Sequence, residues 1–146
     1  MELTIDKNQV YDSVAMHVSI VGRDLKDANG VSLYDKVRIQ DRDKDVLDLF
    51  WADAFGDLIE KLGDFITSSA DNKLALAEDR PMSEASLNKL DDAITGYMVY
   101  SMTANWMKLK AVEYAPVYEG KAEASLASVM ARIHVKKEPT LKKINK

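Results

Sequence analysis

Cysteine is absent from the 146 residues, which excludes disulfides, thiolate zinc sites and cysteine nucleophiles. A cysteine-free chain fits a reducing cytoplasm. Histidine is nearly as scarce: His17 and His134 are the two side chains expected to titrate near neutral pH. Neither stands in a His-Glu-x-x-His arrangement or beside a thiol, so each reads as a surface or half-buried imidazole and not as a ligand or base. The six glycines, at 22, 30, 56, 63, 96 and 120, are scattered singly, so no loop cradles a phosphate. No Gly-x-Ser-x-Gly elbow exists. Long apolar runs are missing too. Asp53, Asp57, Glu60 and Lys61 interrupt one candidate, and Lys89, Asp91 and Asp92 another, well short of a membrane span. The opening residues Met1 to Asp6 lack the basic start and apolar run of a signal peptide. The expectation is a chain made and used in the cytoplasm, with no membrane partner.

What the chain has is the balance of one globular domain: 47% hydrophobic and 30% charged residues, enough for a core without metals or disulfides. Its charge is polarised. Residues 132–146 hold six Lys/Arg against Glu138 alone, a net +5, while residues 1–131 hold 14 basic and 23 acidic residues, a net −9. A basic tail on an acidic body seeks an acidic partner, either nucleic acid or the acidic face of a neighbouring copy. The organisation expected is a helical domain over 1–135 and a basic arm over 136–146.

Apolar spacing predicts a mainly α-helical protein, a bundle of about four helices with a short extended or β segment. Asp6, with Gln9 three residues on, opens the first helix over 6–22, on the recurrence of Val10, Val14, Val18, Val21 and Leu25 at threes and fours. Asp27-Ala28-Asn29-Gly30 is a turn. Residues 31–40 read as an extended segment over the core. Asp41 is the expected cap of the second helix, 42–67, with Leu47, Phe50, Trp51, Ala54, Leu58, Leu62 and Phe65 inward. Gly56 and Gly63 inside it suggest close approach of another backbone. Thr67-Ser68-Ser69 is a polar loop, and 73–77 is either a short strand or an extended lead to Pro81. Ser83 opens the third helix, 83–109, the longest and most apolar, expected to be buried on more than one side. Tyr114-Ala115-Pro116 breaks the pattern, and a fourth helix with a face of small residues runs over 116–134. The expected core is Leu47, Phe50, Trp51, Leu58, Leu62, Leu90, Ile94, Met98 and Leu109.

No catalytic, cofactor-binding or metal-binding constellation emerges, and a binding or structural part is expected, not an enzyme. Asp41, Asp43 and Asp45 alternate like the start of a calcium loop, but the required Gly and final Glu do not follow. They read better as acidic residues in a first helical turn. Met98, Met102 and Met107 read as core filling, and Trp51 and Trp106 as core anchors. Tyr100, Trp106 and Tyr114 would be interface aromatics if presented to a partner. The arm residues Lys136, Lys137, Pro139, Leu141, Lys142, Lys143 and Ile144 form the candidate interaction site. Its lysines have no aromatic neighbours for base stacking, so nucleic acid is the less favoured partner.

In layout the chain resembles small virion-associated structural proteins of tailed phages and prophages of gut anaerobes. The resemblance is carried by Leu3 to Lys7 leading into Val10 to Ala15, and by Asp41 to Asp45 opening a helix with Leu47, Phe50, Trp51 and Ala54. It continues with Asn105-Trp106-Met107-Lys108 closing the third helix, and a small-residue helix ending at Arg132 and Lys136 to Thr140. The helical plan is also similar to head–tail connectors, small subunits that form a ring beneath the portal. The resemblance implies a homo-oligomeric ring in the virion, assembled in the host cytoplasm, with portal or tail proteins as partners. The alternatives are a tail terminator or other tail component, and a nucleic-acid-associated packaging or regulatory protein. The 70–81 loop is short for a connector's inter-subunit strand.

Overall fold

Asp6 accepts the Gln9 N–H at 3.1 Å and starts α1, Lys7–Asp24. The computed structural model describes residues 2–77 and 82–133. Val10, Val14, Val18 and Val21 form the buried face of α1, as their spacing of threes and fours requires. The turn after it is fixed by Asp27, whose Oδ1 accepts from Asn29 N and Val31 N at 2.8 and 2.9 Å, with Gly30 at φ +78°. Residues 31–40 depart from the extended segment expected. Ser32 pairs briefly with Lys26, and Tyr34–Val37 coils into one helical turn, α2, that rests on α1. Gly22 suits this close contact, since a Cβ there would stand 3.2 Å from the Tyr34 Cα and push the two backbones apart by a few tenths of an ångström.

The second long helix, α3, is Lys44–Leu62, preceded by a 3₁₀ turn at Asp41–Asp43. Asp43, and not Asp41, makes the cap bond: its carboxylate accepts the Gln40 N–H at 2.8 Å. Leu47, Trp51, Ala54, Phe55, Leu58 and Leu62 are buried, and Phe50 is half-buried at the margin. The helix stops five residues earlier than its pattern predicts. Gly63, at φ +51°, turns the chain through a 3₁₀ turn into a strand.

That strand is β2, Ile66–Ala70, where a polar loop was expected. It pairs antiparallel with β3, Lys73–Leu76, which pairs on its other edge with β1, Glu2–Thr4. The strand order is β1-β3-β2. Leu3, Leu74 and Leu76 point into the core, so the central strand supplies most of the sheet's buried surface.

Ser83 caps α4, Glu84–Lys110, by accepting the Ser86 N–H at 3.2 Å. This 27-residue helix is the axis of the fold, with α1, α3 and α5 all packed on it. Burial on several sides explains why its apolar residues do not keep to one stripe: Tyr97, Met98, Val99, Met102, Ala104, Trp106 and Met107 are all buried. A 3₁₀ turn at Val112–Tyr114 reverses the chain into α5, Ala115–Ile133, which folds back along α4. Gly96 faces Ser125 there, with 3.3 Å between the Ser125 Oγ and a Cβ that Gly96 lacks. Leu109 was expected in the core but is 63% exposed: Trp106 and Met107 take the covered sides of the last turn of α4 and leave Leu109 outward. Gly56 has nothing near it, so it marks no backbone approach.

Candidate functional site

The side chains with most chemical potential fall into two clusters, each at a seam between helices. His17 lies one residue before Val18 on α1, at the edge of the buried face. It meets the edges of two rings, Tyr100 of α4 at 5.7 Å and Tyr118 of α5 at 5.6 Å. The Lys121 ammonium sits over both tyrosine rings, at 5.6 and 5.4 Å. Burial lowers the His17 pKa and the Lys121 charge lowers it further. The imidazole is therefore held neutral at physiological pH, in contact with rings. Burial raises the Tyr118 phenol, with Tyr100 adding to the effect. This arrangement ties α1 to the α4–α5 hairpin.

The second cluster ties α1, α3 and the β2–β3 turn. Tyr11 Oη donates to Asp48 at 2.5 Å. Lys7 lies 3.4 Å from Asp71 and over the rings of Tyr11 and Trp51. Trp51 Nε1 donates to the Asp71 carbonyl at 3.2 Å, and Asn72 exchanges hydrogen bonds with the Ile5 backbone. Burial and the Asp48 carboxylate push the Tyr11 phenol far up. A phenol so disposed is a donor to Asp48 and no base near neutral pH. Every group in this cluster is spent on holding another element.

An open concavity of about 380 Å³ is lined by Arg38, Ile39, Gln40, Asp41 and Arg42. It is polar and wide-mouthed, unlike the enclosed apolar clefts that hold small substrates. Among the described residues no three His, Asp or Glu side chains gather as metal ligands. None of the described helices is long and apolar enough to cross a membrane.

The residues expected at an interface are dispersed. Trp106 is 1% exposed and its Nε1 donates to the Val37 carbonyl at 2.8 Å, so it is a core anchor and is not presented to a partner. Tyr100 and Tyr114 are half-buried, and Tyr100 belongs to the His17 cluster. The arm residues Lys136, Lys137, Pro139, Leu141, Lys142, Lys143 and Ile144, and with them His134, lie outside the described residues.

The surface instead carries apolar side chains that sequence reading did not place at an interface. Met16 and Ile20 are 55% and 50% exposed on α1, Leu49 is 60% exposed on α3, and Leu109, Val112 and Val117 are exposed around the α4–α5 turn. Their signal was available: Met16, Ile20 and Leu49 all fall off the apolar face of their own helix. No protein-family model, curated protein or solved structure matches the chain.

Proposed function

We propose that this chain is an assembly protein, a structural subunit of a tailed-phage particle, working as a head–tail connector or adaptor in a homo-oligomeric ring. The observation that carries the assembly reading is the distribution of exposed apolar side chains. They sit in three separate regions: Met16 and Ile20 on α1, Leu49 on α3, and Leu109, Val112 and Val117 around the α4–α5 turn. A ring closes through heterologous contacts and needs two different faces on every copy. The polarised charge, −9 on residues 1–131 and +5 on 132–146, supports the same arrangement. The two polar clusters fasten helices to one another, which gives such a subunit a rigid body. The placement in a phage particle rests on the sequence resemblance.

Imaging of intact particles tests the reading directly. The expected result is density for α4 with α1, α3 and α5 packed around it, repeated in a ring next to the portal. Purified particles that lack the chain, by mass spectrometry and by imaging, would overturn it. A ring at the far end of the tail tube would select the tail-terminator alternative.

A further inference from the structure

We infer that the outward face of α3 is the seat for residues 136–146 of a second copy of this chain. The inference rests on the ring reading above and specifies one of its contacts. On α3 the buried residues occupy one side of the helix. Asp45, Leu49, Asp53, Gly56, Asp57 and Glu60 recur at threes and fours on the opposite side, and all are exposed. Among the described residues no element covers that side.

Charge is the first argument for the occupant. Residues 41–65 hold eight acidic side chains against Arg42, Lys44 and Lys61, a net −5. More than half of the −9 carried by residues 1–131 is therefore concentrated in one helix and its flanking turns. The segment 132–146 carries +5. Opposite potentials of this size steer encounter and set the register of a contact.

Length and apolar spacing are the second argument, independent of charge. Eleven residues laid out at about 3.1 Å each span roughly 34 Å. The 19 residues of α3 span about 28 Å. The segment is thus long enough to run the whole helix. Seated in such an extended form, with three residues per turn, Leu141 and Ile144 would fall on the same side, about 9 Å apart. Leu49, 60% exposed among carboxylates, and Gly56, with open space where a side chain would stand, are two helical turns apart, about 10.5 Å. A leucine exposed on an acidic face and a glycine notch beyond it match two apolar anchors set among lysines.

A charge swap on the full chain tests this. One variant carries Asp45→Lys, Asp53→Lys and Glu60→Lys; the other carries Lys137→Glu, Lys142→Glu and Lys143→Glu. Sedimentation velocity at low ionic strength reads the association state, and circular dichroism checks that each variant is folded. The unmodified chain is expected to self-associate with rising concentration, and to dissociate in high salt. Each variant alone is expected to be monomeric, because its face and tail then share one sign. An equimolar mixture of the two is expected to associate again, with the variants alternating. A monomeric unmodified chain overturns the inference, as does undiminished association of either variant or a mixture that stays monomeric. The first of these results would also follow if the tail folded onto its own α3. Association that survives both swaps leaves the ring reading standing and removes this contact from it. Absence of the chain from particles removes the ring reading and leaves the contact measured in solution.

Discussion

Trp106 shows how one side chain can carry two duties. Its ring is buried among α4 and its neighbours, and its Nε1 supplies the hydrogen bond that the Val37 carbonyl at the end of α2 needs. Trp106→Phe keeps most of the apolar bulk and removes the donor. The expected cost is about 1–3 kcal/mol, the penalty of leaving a buried acceptor unpaired, read as a lower urea midpoint. His17 offers a second test at this scale. Its pKa is lowered from the ordinary 6.5, by burial first and then by Lys121. The unfolded chain therefore takes up the proton more readily than the folded one. Stability from this group is complete above pH 6.5 and is lost as pH falls through that value toward the lower folded one. Urea midpoints should decline as pH falls below 6.5, and those of His17→Gln should decline less over the same range. Equal declines in the two proteins would remove His17 from the account.

Glycines separate the elements that need them from those that do not. Gly56 sits in the exposed middle of α3 with open space around it. Gly56→Ala should stabilise the protein by about 0.5–1 kcal/mol, the propensity gain of a helix interior. Gly63→Ala should do the reverse, because φ +51° is a conformation that L residues rarely adopt. Thermal melts of the two variants should move in opposite directions. Packing gives a parallel contrast. Leu58, fully buried, should cost about 2–5 kcal/mol when cut to Ala, and Leu109, 63% exposed, about 0.5 or less. The helices were legible in the sequence because their apolar residues recur at helical spacing, on one face in α1 and α3 and on several in α4, and three of four caps or breaks stand where the residues put them: Asp6, Ser83 and the proline after α4. The sheet was not. β2 is polar and exposed from Thr67 to Ala70, so it has no alternation to read and exists through its pairing with β3. Leu109 misled because periodicity says which residues share a face and not which of them a neighbour covers; Asp41 misled because Asp43, two residues on, offers the same carboxylate and takes the cap bond.

At the scale of the whole molecule, the seams were invisible in the sequence. The His17 and Tyr11 clusters each join residues from helices far apart in the chain, through rings that one-dimensional spacing cannot pair. The charge asymmetry was fully legible, since it depends on composition alone, and it leaves two partners to separate. A protein arm and a nucleic-acid tail would both use the five lysines of 136–146. They differ over Leu141 and Ile144. Burying a Leu or Ile side chain contributes roughly 1.5–3 kcal/mol, which an arm laid on a protein gains and a counterion-releasing tail does not. Leu141→Ser with Ile144→Ser keeps every charge. It should weaken self-association of the full chain by at least about tenfold in concentration, since 1.4 kcal/mol is a factor of ten, and leave the helical circular dichroism signal unchanged. Duplex DNA is the control ligand. If the tail serves phosphates, the double change is silent, and DNA affinity falls with salt at a logarithmic slope approaching about −4.5, or −0.9 for each of five lysines engaged. Weakened self-association together with weak, salt-shallow DNA binding is the outcome expected of an arm that seats on protein.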